Sequence, residues 1–157
     1  MRRSDREINS REEILGILNK CDVLRLGINA PDYPYVVPMN FGFDVENDCI
    51  TIWLHCAFDG LKLELLNKNP KVGFEADCSH KIIAGEKACS YTMEYESVIG
   101  NGRITVCDYS GDKLRGLSLI MKHYEPEKNF DFPETTLKSV CVLRLDIMRI
   151  TGKRLKK

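Results

Sequence analysis

Residues 35–56 read YVVPMNFGFDVENDCITIWLHC. Two runs rich in β-branched and aromatic residues, 35–45 and 49–56, flank the polar turn ENDC at 46–49. Runs of this kind around an Asn/Asp turn read as two antiparallel strands. Pro38 falls inside the first run. Proline has no N–H to give to a ladder, so this part of the strand belongs at an edge or a bulge. A hairpin carrying an edge strand points to a mainly β fold.

Working outward, SREEILGILNK (10–20) reads as a helix. Ser10 and Glu13 have capping-box spacing, and Ile14, Leu15, Ile17 and Leu18 share one face. The segment DVLRLGIN (22–29) alternates like a strand and stops at the turn APDYP (30–34). Downstream, a short helix is predicted over 59–68, with Leu61, Leu65 and Leu66 as its apolar residues. NPKVGFEADC (69–78) reads as a turn and then a strand, and 79–89 as a loop. Residues 91–108 form one long strand, or two bent near Gly100-Asn101-Gly102. Residues 111–124 have helical period through Leu114, Leu117, Ile120, Met121 and Tyr124, and 140–150 reads as the last strand. The expected total is six strands and three helices. Short turns between strands make the sheet mainly antiparallel, and a small barrel with peripheral helices closes it.

The 157 residues suit a single domain spanning 1–157. Lys+Arg and Asp+Glu are equal at 23 each, which argues against a nucleic-acid or anionic-membrane partner. The basic end GKRLKK is expected to be a solvated tail. No apolar run reaches the roughly 18 residues of a membrane span. The opening MRRSDREINSREE lacks the apolar core of a signal peptide, so a cytoplasmic location is expected. The seven cysteines (21, 49, 56, 78, 89, 107, 141) are odd in number and form no C-x-x-C. They read as reduced thiols, most of them small core residues.

Local chemistry concentrates at HCAFDGLK (55–62). Lys62 falls in the first turn of the predicted helix, where the macrodipole is already positive. One explanation is a bound anion held by the free N–H groups of the helix start, by Lys62 and by His55. Gly60 would then allow close approach to the backbone. Charge-assisted bonds of roughly 1.5–3 kcal/mol would outweigh a dipole cost of about 0.3–1 kcal/mol. The other explanation is an Asp59 cap with Lys62 reaching into water. The spacing alone leaves both open. His55 and Cys56 are adjacent on a strand and point to opposite faces, so they make no catalytic pair.

Cys78, His80 and Cys89 offer three ligand atoms but lack a fourth and lack C-x₂₋₄-C spacing, so no metal is assigned. His80, in the predicted loop, is the residue to test for contact with a substrate. Glu94 and Glu96 share a strand face and suit a solvated surface or an interface salt bridge. Tyr33, Tyr35 and Trp53 read as core or interface residues.

Six segments taken in order carry a resemblance: DYPYVVPMNFG (32–42), HCAFDGLK (55–62), NPKVGFE (69–75), YESVIGNG (95–102), LIMKHY (119–124) and ITGK (150–153). The chain resembles the flavin-binding split-barrel proteins related to pyridoxamine 5′-phosphate oxidase, and within them the nitroimidazole-resistance branch. The resemblance implies a homodimer of six-stranded Greek-key split barrels, with FMN, or in some relatives FAD, at the dimer interface. It implies that Val37, Pro38, Met39 and Asn40 line the isoalloxazine ring. It places His55, Cys56, Ala57 and Lys62 at the phosphate end, with Gly60 in the same turn. Ser97 and Val98 would lie near the flavin, reaching across from the other protomer. His123 and Tyr124 match the branch's helix-end motif. The extra basic residues with which true pyridoxamine-phosphate oxidases hold their substrate have no match here, so that activity is not assigned. The implied function is an FMN-dependent oxidoreductase acting on a nitroaromatic with an external electron donor. The competing classes are a non-catalytic flavin sensor or store, and a haem-binding split barrel using His55, His80 or His123.

Overall fold

The strand expected over 35–45 breaks at Asn40, and this break shapes the whole sheet. A computed structural model describes residues 4–156. In chain order the described residues form β1 (Glu7–Ile8), α1 (Arg11–Leu18), β2 (Leu24–Ile28), β3 (Tyr35–Met39), β4 (Phe41–Glu46) and β5 (Cys49–Cys56). There follow α2 (Leu61–Lys68), β6 (Lys71–Ile83), β7 (Thr92–Cys107), α3 (Ser110–Tyr124), α4 (Glu134–Ser139) and β8 (Cys141–Leu155). Short 3₁₀ turns cover Ser4–Arg6 and Ala88–Ser90.

All strand pairs are antiparallel. The order is β3-β2-β6-β7-β8-β5-β4, with β1 added on β8. β3 and β4 are therefore the two ends of the sheet, yet only Asn40 separates them in the chain. Two Cα steps cover at most about 7.6 Å. The sheet must curl until its ends meet at that corner. No ladder joins β3 to β4 among the described residues, so the sheet stays open. Pro38 lies in the end strand β3, opposite Arg25, where its missing donor costs no ladder bond on the free side.

The sheet has eight strands rather than the six expected. The Asn40 break makes two of one, and β1 comes from the N-terminal segment, where Glu7 pairs with Lys153. The basic end is not a solvated tail through Leu155. Its backbone continues β8, where Leu155 pairs with Tyr95. Nor is 79–89 a loop throughout. β6 runs on to Ile83 across an irregularity between Cys78 and Lys81, with Ser79 at φ +59°. Helix α4 was also unexpected. Residues 91–108 form the single strand β7, with a register shift between Asn101 and Gly102.

Ser10 caps α1 as its spacing predicts, accepting a hydrogen bond from Glu13 N at 3.4 Å. The reciprocal half of the box is replaced, because Glu13 Oε1 accepts from Arg154 at 2.6 Å. One apolar core fills the inside of the curled sheet, including Leu24, Leu26, Phe41, Ile52, Leu54, Val98 and Leu143. A second lies under α3, with Trp53, Cys107, Leu117, Ile120, Leu137 and Val142. Gly42 permits this second layer: a Cβ there would run into the Leu119 carbonyl of α3. Three of the seven cysteines, 21, 107 and 141, are buried in the two cores, Cys56 and Cys78 pack against the main one, and Cys49 and Cys89 are exposed. No described helix is long and apolar enough to cross a membrane.

Candidate functional site

The corner where the sheet ends meet is also where the HCAFDGLK turn lies. β5 ends at Cys56 and α2 begins at Leu61, with Gly60 as its N-cap at φ +112°. No side chain caps this helix start, so Asp59 does not play the capping role. A Cβ on Gly60 would meet nothing within 4 Å, so the space beside the helix start is open. Lys62 Nζ folds back to 3.1 Å from Met39 Sδ at the end of β3. It is tied to the seam and not simply extended into water. The β4–β5 ladder ends at Phe41 and Leu54, the residues that adjoin Asn40 and His55 in the chain. His55 is more than a third exposed, yet surrounding protein and then the Lys62 charge lower its pKa. The imidazole is thereby kept neutral near pH 7, with one N–H to donate.

Met39, Asn40, His55, Gly60 and Lys62 thus come together at one corner. An uncapped helix N-terminus, a lysine and a neutral histidine form a donor set for an anion. Pro38 is exposed on the outer face of β3, and Val37 points to the other side and is partly buried. Ala57 is exposed in the turn. The Cys56 thiol turns to Cys141, its cross-strand neighbour. Burial, followed by Cys56, pushes the Cys141 thiol up to about 12. Ser97 and Val98 do not join this corner within one chain. The Val98 side chain is fully buried in the main core. Ser97 lies on the outer sheet face, opposite Asp77 and Lys153. That is the face Pro38 shares, through the row Pro38, Arg25, Glu75 and Ile99.

Between Pro38 and Ser97 this face carries a charged group. Arg25 pairs with Glu75 at 3.1 Å and also with Asp77. His80 Nε2 lies 2.7 Å from Asp77 Oδ2. Burial, with Asp77 next, raises the Glu75 pKa. His80 is therefore held at a β-irregularity and is not a free loop residue. Bulges of this kind re-aim side chains. Among the described residues no three His, Cys, Asp or Glu side chains gather as a metal site.

Three groups of residues have roles that the sequence alone does not show. Glu96 is buried, not solvated. It accepts from Lys20 at 2.7 Å, Ser79 at 2.9 Å and Arg154 at 2.6 Å. The helix-end pair His123-Tyr124 ties the seam in place. Tyr124 Oη accepts from Phe41 N at 3.1 Å and donates to the Asp22 carbonyl at 2.7 Å. His123 Nε2 is 2.8 Å from the Cys21 carbonyl, and its ring lies 4.5 Å from that of Phe41. Lys113 is buried on the inner face of α3 with Leu117 and Ile120, while Leu114 is exposed. The one available signal was a charge falling in step with an apolar helical stripe.

The sequence profile of the pyridoxamine 5′-phosphate oxidase family matches residues 10–154. No curated protein matches. Among solved structures, a Bacteroides thetaiotaomicron protein named for 5-nitroimidazole antibiotic resistance is 32% identical, with a TM-score of 0.81. That match covers 94% of this chain and 86% of the other. The flavocytochrome Anf3 from Azotobacter vinelandii is 17% identical at TM-score 0.82, over 100% of this chain and 72% of the other. An FAD- and haem-binding protein from Mycobacterium smegmatis is 15% identical at TM-score 0.82, over 97% and 74%. These last two bear on the fold alone.

Proposed function

The chain belongs to the pyridoxamine 5′-phosphate oxidase family, and on that premise we propose that it is an FMN-dependent oxidoreductase of the split-barrel type, working as a homodimer. The observation that carries the proposal is the uncapped start of α2, with Lys62 and His55 beside it at the seam of the sheet. This donor set suits a phosphomonoester: several N–H groups, one fixed cation and a neutral imidazole. Gly60 leaves room for it. In this reading Lys62 and the backbone of Ala57 to Lys62 hold the phosphate, and His55 donates one further bond. Val37, Pro38, Met39 and Asn40 flank the isoalloxazine. The break at Asn40 frees backbone N–H and C=O groups that no neighbouring strand uses. Ser97 approaches from the partner protomer along the outer face.

Bound there, FMN supplies the electron and hydride chemistry. The protein supplies orientation and an electropositive rim that favours negative charge. The relative named for 5-nitroimidazole resistance supports a nitroaromatic substrate. A haem reading has less support, because His80 and His123 already hold Asp77 and the Cys21 carbonyl.

The test is direct. Purified protein titrated with FMN is expected to show a flavin spectrum and quenched flavin fluorescence. Lys62→Ala is expected to weaken binding by about tenfold or more, one lost charge-assisted contact. Chromatography of the extracted flavin separates FMN from FAD. Anaerobically reduced holoprotein should be reoxidised by a nitroimidazole faster than free reduced FMN is. Equal rates with every acceptor tried would instead indicate a flavin store or sensor. A protein that takes up no flavin refutes the assignment.

A further inference from the structure

Lys113 is 8% exposed, and among the described residues its contacts include no carboxylate. Its Nζ donates to the Leu137 carbonyl at 3.2 Å and the Val140 carbonyl at 3.3 Å. It also sits 4.9 Å from the centre of the Phe58 ring. Leu137 lies within α4, and Val140 is the single residue between α4 and β8. Phe58 belongs to the four-residue turn between β5 and α2, where Gly60 opens the helix. The ammonium therefore lies against the Phe58 ring of that turn. Its field also reaches the next strand, where it works against the upward push of burial and Cys56 on the Cys141 thiol.

A buried ammonium without an anionic partner is unfavourable, and carbonyl dipoles and a ring face offset only part of that. Helix α3 places it there at the cost of a gap in its buried face, which Gly116, Leu117 and Ile120 otherwise form. The ammonium is itself buried, so its charge is less screened by water and salt than an exposed one, although the turn it faces is exposed. An anion on the outer side of the turn would complete the pair.

We propose that Lys113 is a positioning residue that gives the 57–60 turn its selectivity for a phosphate ester, acting through the turn without touching the ligand. The inference rests on the reading that this turn receives the flavin's phosphate. It assigns the long-range part of phosphate recognition to a side chain of α3, and the direct part to Lys62.

The experiment compares FMN with riboflavin, which differ by the phosphate alone. Affinities are measured by fluorescence quenching for the wild type, Lys113→Met and Lys62→Ala. Lys113→Met is expected to weaken FMN by about tenfold and leave riboflavin nearly unchanged, so the selectivity ratio falls. Equal losses for both ligands would mean that Lys113 only braces the turn, and would overturn the proposal. An unchanged ratio would also overturn it. A wild type that binds neither flavin refutes the flavin reading itself, which is a different result. Circular dichroism checks the fold of each variant. Should Lys113→Met not fold, Phe58→Leu carries the test. It leaves the lysine and lets water reach it, so the FMN-to-riboflavin ratio is expected to fall by about threefold through screening. An unchanged ratio there would likewise overturn the proposal.

Discussion

Glu96 shows how a single residue's surroundings reverse its expected role. On the strand it reads as sharing a face with Glu94, on a solvated surface or in an interface salt bridge, yet it is almost wholly buried within its own chain between Lys20, Ser79 and Arg154. Burial alone would raise its pKa. The hydrogen bonds from Lys20, Arg154 and Ser79 outweigh that and bring it down to about 2 from the ordinary 4.5. A carboxylate with a depressed folded pKa contributes stability that is present above the unfolded value. That stability is lost as pH falls from about 4.5 towards 2. The shift corresponds to something on the order of 3 kcal/mol. Denaturant titrations between pH 6 and 2 should therefore show the wild type losing stability in that window. Glu96→Gln should be flatter over the same range. Parallel curves for the two proteins would mean that the ion group is not the acid-labile element. Lys113 and Glu96 were hidden for a related reason: a charged residue in a strand or helix reads as solvent-facing unless its partners are known, and those partners lie far off in sequence.

At the scale of elements, the 35–56 hairpin and the 55–62 turn were legible because alternation, the Asn/Asp turn and the Gly60 punctuation are local signals. The break at Asn40 was not, since one residue out of the ladder leaves the apolar pattern intact. The extension of β8 to Leu155 was not either: Gly152, Lys153 and Arg154 carry no apolar alternation, and the strand exists because β1 and β7 supply partners on both sides. The helix cap was misleading in the same way, as Asp59 is a good capping residue but Gly60 takes the position with a backbone angle suited to glycine. The packing of α3 on β4 was invisible for want of any signal at Gly42. There the helix backbone comes so close that a methyl group cannot fit beside the Leu119 carbonyl. Gly42→Ala is accordingly expected to destabilise the fold by roughly 1–3 kcal/mol, the usual cost of overpacking. Because Tyr124 of the same helix holds Phe41 N, the displacement should also loosen Asn40 and weaken FMN. A variant as stable as the wild type in thermal unfolding would show that α3 can shift freely, against this account.

For the whole molecule, the curled sheet narrows to two strands at one end among the described residues. β2 pairs with β6 only as far as Ala76, and β8 with β7 only from Tyr95. Beyond that, Lys81–Ile83 and Thr92–Glu94 continue the ladder as two strands, with no third strand paired to them among the described residues. An isolated two-stranded ribbon is marginal in water. This one carries Ile82 at 67% exposure opposite Met93 at 44%. Val36 and Ile99 are exposed on the outer face as well. Apolar surface concentrated on this end and on one sheet face is what a second copy of the chain would cover. The chain mass is 18.0 kDa, so a dimer weighs 2 × 18.0 = 36.0 kDa. Light scattering on the eluted protein is expected to give the larger mass, and Ile82→Asp with Met93→Asp to give the smaller one. If FMN is held between two protomers, the same double substitution should cost flavin binding although it touches none of Met39, His55 or Lys62. A monomeric wild type would remove the dimer from the proposal. A monomeric variant that keeps full FMN affinity would move the whole flavin site onto a single chain.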